Sequence, residues 1–490
     1  MYPSFCLLTS IGLRNISNNF YRRKRADTPA ENQTKTKKKR IRKNSEIADA
    51  RIAGWRVVDQ KKECFLMPTL PPAQAFPDIG LSRFSRVEDI FLHFVDGEVI
   101  SKLIDSLTPQ DIMIGYRDKS KGTIRRMNIT PQLVYKTFAV HIRIIGLQVQ
   151  PNEAHSVRRP LRDALEESQE HFHDLDCPGI DYLTKLTSVL VFDESMEEVL
   201  SLKFQSALSR LGQFVAGDEK LFHFTGQSGD VRLVKSKPDQ IGLWFFELCC
   251  RLRCGLPYLL HLRLHRNKIQ GQVSVKVSDM VKRWGHVVQT IGSHIEPNRN
   301  RMCILAFDSY YMDAEARRYL REERLLYCAS AQAARFSAEI NLVHENTIDV
   351  IGEHRAIYNE ITQELFVYHY DTQKGVGKKY NLSYGLIRSE ERLKVREHYG
   401  AIPGYDVYKS LFEACDNFNR GLHDKSWPHR RGGRGRAGHF GRSHDFIFAC
   451  TLQNTFNIFT DMGGYFEGNM SFRDKCLELS DRIYNYAKTM

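Results

Sequence analysis

Two stretches of this 490-residue chain put carboxylates directly after apolar runs, where a folded sheet would hold them rigid. Residues 218–242 read DEKLFHFTGQSGDVRLVKSKPDQIG: Asp218 and Glu219 follow the strand-like run Phe214, Val215, Ala216, and the stretch passes Phe224 and Gly226 to close on Lys237, Pro238 and Gly242. Residues 301–335, RMCILAFDSYYMDAEARRYLREERLLYCASAQAAR, read as an apolar strand with Asp308 at its end, a small residue, two aromatics, an amphipathic helix and a second strand. Carboxylates are natural ligands for hard divalent cations such as Mg²⁺. An Asp-Glu pair after a strand is by itself commonly a solvated strand end, so its meaning comes from the residues C-terminal to it and their order.

Around these stretches the chain divides into five parts. Residues 1–75 read as a disordered basic arm, with Arg22–Arg23–Lys24–Arg25 and then Lys37–Lys38–Lys39–Arg40. Two such clusters look like a bipartite nuclear-import signal, and equally like an arm that touches DNA. Over 76–210 the spacing is helical: Val87, Ile90, Phe91, Phe94, Val99, Ile100, Leu103 and Ile104 recur at three- and four-residue steps, and Phe138, Ile142 and Ile145 mark a second such segment. From 211 to 335 strands alternate with helices, and Leu243–Cys250 is apolar enough to be buried on both faces. Residues 336–400 carry short alternating strands such as Glu364–Tyr370, and 401–490 end in two helices at 445–460 and 471–487.

Composition fits a large core with a polyanionic partner. The chain is 42% hydrophobic and 11% aromatic, and its net charge of +13 predicts salt-sensitive binding to phosphate. Eleven scattered cysteines with no recurring CxxC read as reduced intracellular thiols, not as a disulfide frame or a zinc cage. No apolar run is long enough to cross a bilayer, so no membrane role is expected.

The order Asp-Glu, Phe-x-Gly, Lys-Pro, Gly over 218–242 resembles the first catalytic block of the piggyBac-type transposases, and 301–335 is similar to the block that carries their second Asp. Residues 403–420, PGYDVYKSLFEACDNFNR, resemble the third: Tyr408 at the start of that run puts Asp416 on the third Asp. The resemblance covers roughly 80–490. It implies an α/β fold with an RNase H-like catalytic core, a β-rich insertion between the second and third Asp, and a helical N-terminal dimerisation and DNA-binding region. Asp218, Asp308 and Asp416 would then be catalytic residues holding two Mg²⁺ or Mn²⁺ ions. The implied activity is cut-and-paste transposition: nicking transposon ends, forming hairpins with the freed 3′-hydroxyl and inserting double-stranded DNA at TTAA. A homodimer in the nucleus is expected. The Asp193 of VFDESM is a decoy, because no Phe-x-Gly or Lys-Pro comes after it; it reads as a helix cap.

Lys237, Arg335 and the arginines of HRRGGRGRAGHFGRS, namely Arg430, Arg431, Arg434, Arg436 and Arg442, are the expected DNA contacts, the Gly/Arg run being read as a flexible loop along a phosphate backbone. Several positions depart from the family pattern. Ser309 stands where the family has Asn, 329–335 have lost a polar motif, and Asn419 replaces an acidic residue three after the third Asp. The zinc module with which many members end is also not expected. The alternative reading is therefore a domesticated, non-catalytic DNA- or chromatin-binding protein derived from a transposase.

Overall fold

The structure is a computed structural model. It describes residues 54–58, 64–66, 76–77, 86–107, 116–117, 124–125, 128–147, much of 183–212, 214–223, 230–234, 240–266, 276–293, 303–344, 354–371, 377–385, 387–389, 405–423, 436–464, 466 and 470–490. The N-terminal basic clusters, Lys237, Arg430, Arg431 and Arg434 lie outside the described residues.

Helices form where the sequence offers caps and a single apolar face. In the N-terminal region α1 (Val87–Phe94) turns into α2 (Gly97–Asp105) at Asp96, whose side chain accepts the Glu98 and Val99 amides. The long α3 (Pro131–Leu147) is buried along most of its length. Asp193 caps α4 (Glu194–Ser206) by accepting the Ser195 amide, as its sequence context predicts.

The centre is a ten-stranded sheet. In chain order its strands are β1 (Trp55–Val57), β2 (Phe214–His223), β3 (Val231–Leu233), β4 (Ile241–Arg251), β5 (Pro257–Leu264), β6 (Ile304–Phe307), β7 (Leu326–Ser330), β8 (His354–Asn359), β9 (Glu364–Asp371) and β10 (Gly377–Tyr384). Across the sheet they run β1-β8-β9-β10-β7-β6-β2-β4-β5, with β3 paired to β4. Within this order β2 pairs antiparallel with β4, and β4 with β5. On its other side β2 pairs parallel with β6, and β6 with β7.

The strand β5 closes one edge of the sheet, and helices satisfy its outward backbone groups. Ser201 of α4 exchanges hydrogen bonds with both the N–H and the C=O of Leu262, and Glu197 accepts the Leu264 amide. From α9 (Arg436–Asp461), Asn454 accepts the Leu259 amide and donates to its carbonyl. An edge without such cover would be a site for pairing with other chains.

Three expectations about organisation change. The strands of 336–400 extend the same sheet, because β10 pairs antiparallel with β7 through Tyr384↔Tyr327 to Asn381↔Ser330. Within the expected arm of 1–75, Trp55–Val57 already forms β1, in register with β8 from Trp55↔Asn359 to Val57↔Ile357. The Gly/Arg run gives way to α9 at Arg436, so Arg436 and Arg442 stand on a helix instead of a loop.

Four more helices cover the sheet: α5 (Val277–Ser293), α6 (Ala314–Glu322), α7 (Ser337–His344) and α8 (Tyr405–His423). The last, α10 (Phe472–Thr489), opens with a capping box of Ser471 and Asp474 and buries Leu479, Ile483 and Tyr484; its Ser480 hydroxyl donates to the Ala139 carbonyl of α3. Among the described residues no helix is long and apolar enough to cross a membrane.

Candidate active site

Strand alternation decides which acid of the Asp-Glu pair faces which layer. Gly217 looks toward α5, where any added Cβ would collide with Trp284, and Trp284 stacks on Phe307 at 5.8 Å. Only glycine fits there. Glu219 shares that side and accepts a hydrogen bond from the Tyr311 hydroxyl at 2.7 Å. Asp218 therefore projects to the other side, where Ala216 and Phe222 meet α8 and α9: the Cys415 thiol donates to the Ala216 carbonyl at 3.1 Å, and Phe222 packs on Phe446 at 4.9 Å. Asp218 sits mid-strand and is 7% exposed. The strand continues past it to His223, so Asp218 lies within the strand and not after it.

Asp308 comes one residue after β6, and β6 lies beside β2 with Phe307 opposite Gly217. Its backbone is still extended, φ −74° and ψ 162°, so the side chain turns to the face opposite Phe307, the one that Asp218 occupies. There it caps the short 3₁₀ turn Ser309–Tyr311, accepting the Ser309 amide and the Ser330 hydroxyl, the latter at 2.7 Å. Arg335 buttresses the turn by donating to the carbonyls of Ser309 at 2.8 Å and Met312 at 3.3 Å. The same side chain, expected at DNA, also braces the Asp308 turn.

Asp416 projects from α8, exposed, next to Cys415. Burial pushes the Cys415 thiol up to about 11, and the charges of Asp218, Glu247 and Asp416 add to the effect. Two of the three marked acids are therefore felt at one sulfur. The helix runs alongside β2 in the same direction: Glu413 meets Arg251 at 2.7 Å beside the start of β2, and Cys415 reaches Ala216 further along. Asn419 lies one turn beyond Cys415, about 6 Å along the helix, which is close to the distance from Ala216 to Asp218 along the strand. It is 9% exposed, and its Oδ1 is buried with no hydrogen-bond partner among the described residues.

The fold thus brings the three sequence-marked acids to one region. Their carboxylates do not close around a single point: among the described residues only His141, His444 and Asp445 bring three ligand atoms within 4.8 Å of one another. Two ions about 4 Å apart call for a wider spread of ligands than one ion does. Glu247 was missed by motif reading. It is fully buried on β4 directly across from Asp218, and only the ladder register reveals it.

Fold and strand order define a mixed α/β protein built on one mixed sheet. Specifically the fold is piggyBac transposase-like: the chain is similar to a piggyBac transposase in a cryo-EM structure of its synaptic complex with hairpin DNA, with a TM-score of 0.63 at 13% identity over 85% of this chain and 84% of that one. Neither a family sequence profile nor a curated protein sequence matches the chain.

Proposed function

We propose that this protein is a metal-dependent DNA strand transferase of the transposase type, with an RNase H-like core in which Asp218, Asp308 and Asp416 are the catalytic carboxylates. The observation that carries the reading is their distribution over the order β5-β4-β2-β6-β7: one acid within the central strand, one just past its parallel neighbour, and one on a helix laid across both. The orphaned Asn419 Oδ1, an oxygen buried over this face, suits a hard cation nearby. Two divalent ions held there would activate the attacking oxygen and stabilise the leaving one.

The chain's own groups supply rigidity and position. Asp218 is fixed by ladders on both sides, Asp308 is aimed by Ser330 and the Ser309 amide, and Arg335 holds the turn behind it. Asp416 is exposed and open to a phosphate arriving from solvent. Double-stranded DNA is the partner that the net charge of +13 favours, with the transposon-end and TTAA specificity, nuclear location and homodimer of the resemblance as further parts of the same proposal.

The test is an excision assay with Mg²⁺ or Mn²⁺ on TTAA-flanked ends, comparing the chain with Asp308→Ala. Asp308-dependent hairpins support the enzyme. Equal background products from both proteins, with DNA binding retained, identify the domesticated binding protein instead.

A further inference from the structure

We infer that Glu247 is a fourth carboxylate of the metal site, contributed by β4 and marked by no motif. The inference rests on the cation-binding reading above. Residues directly opposite in an antiparallel pair share a face with Cβ atoms about 5 Å apart, and Glu247 is opposite Asp218. That face is the one under α8 and α9, since Phe245, two residues before Glu247 on the same side of β4, packs on Phe446 at 4.5 Å. Glu247, Asp218 and Asp308 consequently form a row across the three neighbouring strands β4, β2 and β6, spaced about 4.8 Å apart.

Lys220 lies buried on the same face two residues along β2. One ammonium against three carboxylates leaves the row acidic, a donor set that suits a hard divalent cation. Asn419 is the independent sign of one. Its side chain is more than nine-tenths buried, helix phase carries it over Asp218, and its Oδ1 has no donor among the described residues. A carboxamide oxygen is an ordinary ligand for a hard cation but brings no charge. In the family pattern an acid stands at that position, and here the charge missing from α8 is supplied from β4.

The experiment is a Mn²⁺ titration of the full-length, DNA-free protein by calorimetry and Mn²⁺ EPR, with the metal-induced shift in melting temperature as a second readout. The variants are Glu247→Gln, Asp218→Asn, Asn419→Asp and the Glu247→Gln/Asn419→Asp double variant. Glu247→Gln is expected to lower Mn²⁺ affinity roughly ten- to a hundredfold and to shrink the metal-induced shift, because the amide keeps the shape and gives up the charge. The double variant is expected to recover affinity, which a merely structural role for Glu247 would not produce. Unchanged Mn²⁺ binding in Glu247→Gln, alongside a loss in Asp218→Asn, overturns the proposal and leaves the metal reading standing. No Mn²⁺ binding by the wild-type protein overturns both.

Discussion

The hydroxyl of Tyr311 donates to Glu219 at 2.7 Å, tying the turn after Asp308 to the strand that carries Asp218. Burial pushes the Tyr311 hydroxyl well above its ordinary range, and the charges of Glu219 and Asp218 push it further, so it stays a donor. Glu219 is thus a positioning group, reached through the aromatic that comes three residues after Asp308.

Tyr311→Phe removes that donor while keeping the ring against Trp284, which it meets at 5.0 Å. We expect a stability loss of about 1 kcal/mol, the net worth of one hydrogen bond to a half-buried acceptor. Under the proposed function, strand transfer should fall further than DNA affinity does, because a loosened turn would misdirect Asp308 while the net charge of +13 is unchanged. Melting temperature, filter binding and hairpin yield on the same preparation separate these effects; equal losses in binding and transfer would argue against a positioning role.

Glu364 of β9 is closed to solvent and takes Arg317 Nη2 at 2.7 Å and Nε at 3.1 Å, with Arg321 and Tyr327 also donating. Burial alone would raise its carboxyl, but Arg317, Tyr327 and Arg321 outweigh it and hold the group below the usual carboxylate range. A carboxyl depressed on folding stabilises above its unfolded value and loses that contribution as pH falls through its folded one. Glu364→Gln should cost about 1–3 kcal/mol at neutral pH, since it weakens the charge-assisted bonds from the half-buried Arg317 and Arg321. It should also flatten the dependence of melting temperature on pH below about 4.3.

His261 of β5 sits at the irregularity in the β5–β4 register, fully buried, and neither ring nitrogen has a hydrogen-bond partner among the described residues. Burial, with Arg283 and Arg263 nearby, lowers it to about 3. The unfolded chain takes up a proton near pH 6.5 that the folded chain refuses, so stability should decline from about pH 6.5 toward 3. His261→Leu should remove this part of the acid sensitivity while remaining folded at pH 7. A wild-type unfolding curve that is level between about pH 6.5 and 4.5 would contradict the assignment.

His141, His444 and Asp445 have metal-like spacing, but the hydrogen-bond direction argues against an ion. The Phe192 amide can only donate, and it reaches His444 Nδ1 at 2.9 Å, so the His444 proton must be on Nε2, which faces His141 Nδ1 at 3.2 Å. A metal on Nε2 would require both nitrogens to be deprotonated. His141 in turn presents Nε2 to Asp445 Oδ1 at 3.5 Å and stacks on Phe448 at 4.7 Å. Zn²⁺ titration should therefore give the same stoichiometry for the wild-type protein and His141→Phe. His444→Phe should cost about 1–3 kcal/mol for the orphaned Phe192 amide.

The basic arm can be tested without reference to catalysis. Deleting residues 1–45 should weaken duplex binding, reduce the slope of log affinity against log salt, and lower nuclear accumulation. Affinity that does not change with salt would exclude the arm as a phosphate contact.

Local pattern in the sequence was enough to mark β2, β4 and β6 as strands, Asp193 as a cap, and the C-terminal segments as helices, since apolar runs and caps report burial and chain ends within one element. It also singled out Asp218 and Asp308 by the residues C-terminal to each. Residue spacing carries no information about how separate elements register on one another. That Asp218 rather than Glu219 faces α8 depends on Gly217 lying under Trp284 from a helix more than fifty residues away. That Glu247 stands beside Asp218 depends on a ladder closed across residues 224–240, and a slip of one residue would have turned it to the other face. The family resemblance implied that the strands β8–β10 form an insertion, and only the open edge of β7, left for β10 to pair, made them part of the central sheet.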